Sequence, residues 1–198
     1  MKIFKKNLYL FFSMLFISLL CIPFFSNSQI PQSSLKMMSV SGSEYSVNDL
    51  TKENGVLIIF ISNDCNLVIK NQQRAIAVSD YAKRKNVGVV FINSNEKNRN
   101  GSESLDAMKQ YSKNQNFGWE YLLDKNGIFA SAIGATKAPE VYLYNKNNQL
   151  VYSGAIDDNP ADELRVTQQY LRDAIDQMAA GKEVGVKKSK VIGCTIKK

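Results

Sequence analysis

A short apolar run, followed by a polar break and a long helical stretch, constrains the fold of this chain most. Residues 55–61 read GVLIIFI, a continuous run rich in β-branched side chains that is typical of a strand buried on both faces. Ser62, Asn63 and Asp64 come next, and residues 65–84 then contain neither Gly nor Pro and repeat apolar side chains at helical spacing. This pattern predicts a central strand and an amphipathic helix whose first turn is capped by side chains of residues 62–64.

The rest of the chain alternates between strand and helix patterns. Strands are predicted at 87–92, 139–144 and 150–155, an extended segment at 117–123, and helices at 104–114, 128–133 and 164–180. A strand, a helix and a second strand in this order favour a parallel pair with a right-handed crossover. The last two strands are close enough in sequence to form an antiparallel hairpin. The prediction is therefore an α/β domain with a central mixed sheet flanked by helices.

The N-terminal segment resembles a secretory signal peptide. Three lysines precede an apolar run at residues 8–25 that contains no acid, and Ser26 and Ser28 place small side chains before a cleavage site at Gln29. An uncleaved membrane anchor is the alternative, although the run is near the lower length limit for a span. We therefore predict a signal at 1–28, a secreted or periplasmic protein, and membrane contact only through an uncleaved signal.

Length and charge limit the remaining chain to one domain without a nucleic-acid partner. We expect a lead-in at 29–44, one domain at 45–184 and a basic tail at 185–198 that carries Cys194. Loss of the signal lowers the net charge from +7 to +4, too small an excess to indicate nucleic-acid binding. The tail is either solvated or a contact for anionic membrane or cell-wall polymer.

The absence of histidine excludes several classes of site. The chain has no imidazole for a catalytic triad, a haem ligand or the usual zinc site. We therefore expect no metal and no cofactor.

Cys65 is the residue most suited to chemistry. It directly follows the predicted strand and polar break and begins the helix, where free N–H groups and the helix dipole favour a thiolate. A thiolate is the nucleophile in disulfide exchange and in attack on peroxides. The alternative is that Cys65 is a small buried apolar side chain.

Residues 60–71, FISNDCNLVIKN, resemble the active-site strand and helix start of thioredoxin-family redoxins, which carry CxxCP at this place. Ser62 stands at the position of the first cysteine, Cys65 matches the second, and Asn66 replaces the proline. The Ser62-x-x-Cys65 spacing also resembles the Thr/Ser-x-x-Cys of peroxiredoxins, although Ile58 stands where those proteins have proline. The resemblance implies a thioredoxin-like fold with Ser62 and Cys65 as candidate catalytic residues.

Three later segments resemble the same family. Ala138-Pro139 resembles its cis-proline, GAIDD at 154–158 its GxIDD stretch, and GCTIK at 193–197 a C-terminal ending found in one branch. The resemblance implies a substrate groove formed by Asn63 and Asp64 on one side and by Ala138 and Pro139 on the other.

A site with one cysteine needs a second thiol to complete a redox cycle. Cys194 is the internal candidate and our third candidate catalytic residue; a free exposed thiol or a link to another chain are its alternatives. The first hypothesis is an extracytoplasmic thiol–disulfide oxidoreductase or peroxide-reducing protein, whose partners are protein or small-molecule thiols and disulfides, and peroxides. The second is a redox-inactive module that binds extended peptides. A purely structural envelope protein is the third.

Overall fold

A computed structural model describes residues 30–198, so the predicted signal at 1–28 lies outside the described residues. The strands are β1 Met37–Ser39, β2 Glu44–Tyr45, β3 Gly55–Phe60, β4 Gly88–Asn93, β5 Glu120–Leu123, β6 Lys137–Ala138, β7 Glu140–Asn145, β8 Leu150–Gly154 and β9 Cys194–Thr195. The α-helices are α1 Val47–Leu50, α2 Asn66–Arg84, α3 Leu105–Asn114, α4 Ile128–Ile133 and α5 Tyr170–Ala179, with 3₁₀ turns at Lys125–Gly127 and Glu163–Arg165.

Seven strands form a mixed sheet in the order β2-β1-β5-β4-β3-β7-β8. β3 is parallel to β4, and β4 is parallel to β5, whereas β7 runs antiparallel to β3 and β8 antiparallel to β7. A separate two-stranded sheet pairs β6 with β9. This is the α/β architecture with a central mixed sheet that the sequence predicts.

Strand β3 is the centre of the core because both of its faces are covered. Leu57 and Ile59 pack with apolar side chains of α2, α3 and α5 on one face. Ile58 and Phe60 pack with those of α1 and α4 on the other. A strand covered on both sides has no polar face, which explains the uninterrupted apolar run in the sequence.

The closing helix begins later than predicted. α5 starts at Tyr170 and not at residue 164, and Leu164 is 96% exposed. The carboxylate of Asp158 accepts hydrogen bonds from the backbone N–H and hydroxyl of Thr167, and the Asp158 N–H donates to Gln168 O at 3.1 Å. These local bonds precede α5, and residues 164–169 form no α-helix, only the end of the 3₁₀ turn at Glu163–Arg165; the predicted helix at 164–180 was therefore wrong in its first six residues.

The sheet also extends into the segment expected to be a lead-in. β1 and the first residue of β2 lie within 29–44, and β1 pairs antiparallel with β5. Strands of two or three residues are too short to show the alternation of apolar and polar side chains from which a strand is predicted.

The C-terminal segment is docked on the domain. We name residues 184–198 the C-terminal strap. Ser153 N donates to Lys187 O at 3.0 Å, and Ser189 N donates to Ser153 O at 3.1 Å, so the strap runs along β8. Val184 and Ile196 are buried in the core.

Within residues 30–198, no helix combines the length and apolar character needed to span a membrane.

Candidate functional site

A disulfide joins Cys65 to Cys194, and it is the central feature of the site. The two residues are separated by 129 positions in sequence, and their Cα atoms lie 6.0 Å apart. Sequence reasoning left open whether these cysteines pair. The fold brings them together because Cys65 follows the central strand and the C-terminal strap crosses the same end of the sheet.

Strand pairing places Cys194 opposite the residue before Pro139. Ala138 pairs with Cys194, and Lys137 pairs with Thr195, in the antiparallel β6–β9 ladder. The Ala138–Pro139 peptide is cis, as the resemblance implies. Cys65 Sγ lies 3.3 Å from Ala138 O, so loop, proline segment and strap meet at the disulfide.

The two sulfur-bearing residues differ in exposure. Cys65 is only 1% exposed and packs within the larger core cluster. Cys194 is half-buried at the surface, with its side chain against that cluster. Solvent therefore reaches the disulfide mainly from the Cys194 side.

Cys65 occupies the N-cap position of the 19-residue helix α2, and no side chain caps that helix. The prediction that residues 62–64 cap its first turn was wrong. Ser62 Oγ instead donates to the Glu103 carboxylate, and the Asp64 carboxylate accepts hydrogen bonds from Asn98 Nδ2 and Ser102 Oγ. The free N–H groups of the first turn remain available to stabilise negative charge near Cys65.

Glu103 is a buried carboxylate that organises the loop before Cys65. It is 2% exposed and accepts hydrogen bonds from Ser62 Oγ, Asn63 N and Asn93 Nδ2, with the Asn63 bond at 3.1 Å. Burial raises the pKa of Tyr121 well above its usual value. Tyr121 therefore keeps its proton and donates to Asn63 Oδ1 at 3.1 Å.

The candidate residues are distributed between this network and a small cavity. Ser62, Asp64, Cys65 and Cys194 line a cavity of about 130 Å³ together with Glu103. Asn63 turns away, because its amide donates to Ser102 O at 2.8 Å. On the other side of the predicted substrate groove, β9 pairs with β6, and its residues Cys194 and Thr195 line the same cavity as Ser62 and Asp64.

Sequence reasoning missed Glu103. It lies in the polar stretch of residues 93–104, and nothing in the local sequence pattern separates it from Glu96 in the same stretch. Its role appears only when the fold brings residues 40 positions apart into contact.

We predict that Glu103→Ala lowers the free energy of unfolding of the oxidised protein by about 3 kcal/mol. The substitution leaves the Ser62 hydroxyl, the Asn63 N–H and the Asn93 amide without their acceptor in a buried place. Urea unfolding followed by circular dichroism measures the change. The exposed Glu163→Gln is the control and should change it by less than about 0.5 kcal/mol. Equal stability of Glu103→Ala and wild type would contradict the role of Glu103.

A glycine beside Cys194 allows the strap to approach β6. A Cβ atom on Gly193 would lie 2.6 Å from the backbone oxygen of Ala138, whereas one on Gly185 would meet its nearest neighbour, a side-chain oxygen of Gln177, at 3.8 Å. The contact at Gly193 is with backbone and is too short for any side chain.

We therefore expect Gly193→Ala to destabilise the oxidised protein by about 1–3 kcal/mol, because β9 must move away from β6. Gly185→Ala, in the same strap, is the matched control and should differ from wild type by less than about 0.5 kcal/mol. Thermal unfolding without reductant distinguishes them. Identical melting temperatures for both variants would show that the strap does not need this close approach.

A larger cavity, of about 310 Å³, lies elsewhere beside α2 and α5 and contains neither cysteine. Its wall includes a buried ion pair between Arg74 and Asp157. No group of three or more His, Cys, Asp or Glu side chains in residues 30–198 is arranged to hold a metal ion.

Comparison with known proteins gives a family and a fold. A family model described as Redoxin matches residues 25–171. The chain is similar to an uncharacterized conserved protein from Geobacillus kaustophilus, with 27% identity, a TM-score of 0.77, and 86% of this chain and 93% of that chain covered. It is also similar to a hypothetical protein from Sinorhizobium meliloti 1021, with 29% identity, a TM-score of 0.75, and 85% and 94% covered.

A third similar structure is a secreted disulfide oxidoreductase from Mycobacterium tuberculosis, with 16% identity, a TM-score of 0.53, and 76% of this chain and 97% of that chain covered. At this identity the likeness concerns the fold alone, and it confirms the thioredoxin-like fold. No curated protein matches the chain.

Proposed function

The chain belongs to the redoxin family, and from this premise we propose that it is an extracytoplasmic thiol–disulfide oxidoreductase that works through the Cys65–Cys194 pair. The observation that carries the proposal is the disulfide itself. It lies at the start of α2, beside the cis-proline segment, and one of its two residues, Cys194, is only half-buried.

Cys194 supplies the second sulfur that a redox cycle needs, which the hydroxyl of Ser62 cannot supply. In the oxidised protein, a thiolate RS⁻ attacks one sulfur of the disulfide, the Cys65–Cys194 bond breaks, and a mixed disulfide and a protein thiolate form. A second thiol then attacks the mixed disulfide, which releases RSSR and leaves both cysteines reduced. Two electrons pass from the substrate thiols to the protein, and an external disulfide reverses the process.

Exchange with thiols fits the geometry better than peroxide reduction. A peroxide must reach the Cys65 sulfur directly, because the thiolate attacks its oxygen and becomes a sulfenic acid that Cys194 would then resolve to the disulfide. Cys65 is only 1% exposed, whereas Cys194 is half-buried at the surface. We therefore favour thiol–disulfide exchange over peroxide reduction as the activity of this protein.

An oxidising compartment is consistent with a resting disulfide. Disulfides persist in secreted and periplasmic proteins and are rare in the cytosol. The signal-like residues 1–28 support the same location. We expect N-terminal sequencing of the protein recovered from the native cell envelope or medium to begin at Gln29. A protein that retains its first residues and stays in the cytoplasm would contradict this location.

The activity is tested by oxidation of a reduced dithiol peptide in a buffer of oxidised glutathione. The protein at about one-hundredth of the peptide concentration should complete many cycles, and its disulfide should be found partly reduced during turnover. Hydrogen peroxide in place of oxidised glutathione tests the peroxidase alternative. No acceleration with either oxidant would favour the redox-inactive binding module.

A further inference from the structure

The disulfide is asymmetric, and this asymmetry assigns different roles to its two sulfurs. We infer that Cys194 is the sulfur that external thiols attack and that carries the mixed disulfide, while Cys65 is the buried leaving group. The strap thus supplies the more exposed cysteine of the pair. In the loop, Ser62 stands at the position where the family that this segment resembles has its first cysteine. This inference rests on the proposed function.

Access to the sulfurs gives the first argument. A thiolate attacks a disulfide sulfur in line with the S–S bond, from the side opposite the leaving sulfur. Cys65 leaves little room for such an attack, because this residue is 1% exposed and packs among core side chains. Cys194 is half-buried at the surface and is the more accessible of the two residues, although both line the cavity of about 130 Å³.

The leaving sulfur gives the second argument. Attack on Cys194 expels Cys65 as a thiolate at the N-cap of α2, a 19-residue helix with no side-chain cap. The free N–H groups and the helix dipole favour negative charge at this point. Attack on Cys65 would instead expel Cys194, which lies in a two-residue strand and has no helix dipole to stabilise its thiolate.

Anchors on both sides of Cys194 hold it after the bond opens. On the C-terminal side, Ile196 N donates to Thr136 O at 2.9 Å, and Lys197 N donates to Asn95 Oδ1 at 3.1 Å. On the N-terminal side, Ser189 Oγ accepts from Ala155 N at 2.9 Å. None of these bonds depends on the disulfide, so the reduced strap keeps Cys194 close to Cys65.

The reaction balances with one thiolate and one proton. RS⁻ bonds to Cys194 Sγ, the S–S bond to Cys65 breaks, and Cys65 departs with the electron pair and takes a proton from water. In the oxidising direction, the Cys65 thiolate attacks Cys194 within the mixed disulfide and expels RS⁻. Cys65 therefore reacts with its neighbour, and Cys194 reacts with the substrate.

The test traps the first adduct. The oxidised protein is mixed briefly with reduced glutathione, quenched with acid, alkylated with N-ethylmaleimide and digested with trypsin, which places Cys65 in residues 53–70 and Cys194 in residues 191–197. We expect glutathione on residues 191–197 and maleimide on residues 53–70, in at least about tenfold excess over the reverse pattern. Glutathione mainly on residues 53–70 would overturn the inference and leave the proposed function intact.

The two single-cysteine variants provide an independent comparison. With oxidised glutathione, Cys65→Ser should form its adduct on Cys194 at least about tenfold faster than Cys194→Ser forms one on Cys65, because the latter sulfur is buried. Equal rates, or a faster reaction of Cys65, would overturn the inference. If neither the wild type nor the variants react with glutathione, the proposed function fails first and the inference fails with it.

Discussion

Cys65→Ser should reduce the catalysed oxidation of a dithiol peptide by at least about 100-fold, to the uncatalysed background. Two-electron exchange needs two sulfurs within bonding distance, and in the described chain only Cys194 lies against Cys65. Without Cys65, a thiol attached to Cys194 stays there, because no internal thiolate displaces it. Turnover stops even though the first adduct still forms.

The measurement is the rate of peptide oxidation in glutathione buffer, with Ser131→Ala, an exposed position, as the control for the effect of substitution. Circular dichroism of each variant verifies that it is folded. Mass spectrometry should find Cys65→Ser glutathionylated at Cys194. A Cys65→Ser protein that retains more than about a tenth of wild-type activity would contradict the two-sulfur mechanism.

Reduction of the disulfide should lower the free energy of unfolding by about 3–5 kcal/mol. The bond closes a loop of 129 residues, and closing a loop this long removes much of the conformational freedom of the unfolded chain.

Guanidinium unfolding of the oxidised and the reduced wild type measures this difference. The reduced wild type is a better comparison than Cys65→Ser, because a serine hydroxyl buried at position 65 would add its own cost. A variant lacking both cysteines controls for the reductant, which should not change its stability. A difference below about 1 kcal/mol between the oxidised and reduced forms would contradict the prediction.

The central part of the fold was predictable because its signals are local. The uninterrupted apolar run of β3 and the helical spacing of α2 follow one another in sequence, and they place Cys65 at the start of the helix. The start of α5 was not predictable in the same way. It depends on bonds of Asp158 to residues nine and ten positions later, which no periodicity reports.

The candidate site was predictable in part for the same reason. Cys65 and Ser62 are adjacent to a strong pattern, whereas Cys194 and Glu103 reach the site only through long-range packing. A cysteine in a Gly- and Lys-containing terminus gives no sign of the anchors at Ser189 and Ile196 that hold it. The loop was expected to cap α2, but Ser62 donates its hydroxyl to Glu103 instead, a buried side chain whose oxygens must find donors within the protein.

A redox titration of the cysteine pair tests the central claim most directly. The protein is equilibrated in glutathione buffers of increasing oxidised fraction, quenched with acid, alkylated and weighed by mass spectrometry. If Cys65 and Cys194 are an exchangeable pair, both thiols disappear together in one two-electron transition with the same midpoint from the reduced and the oxidised side. Two cysteines that are alkylated independently of each other, or a bond that glutathione never opens at any ratio, would contradict it.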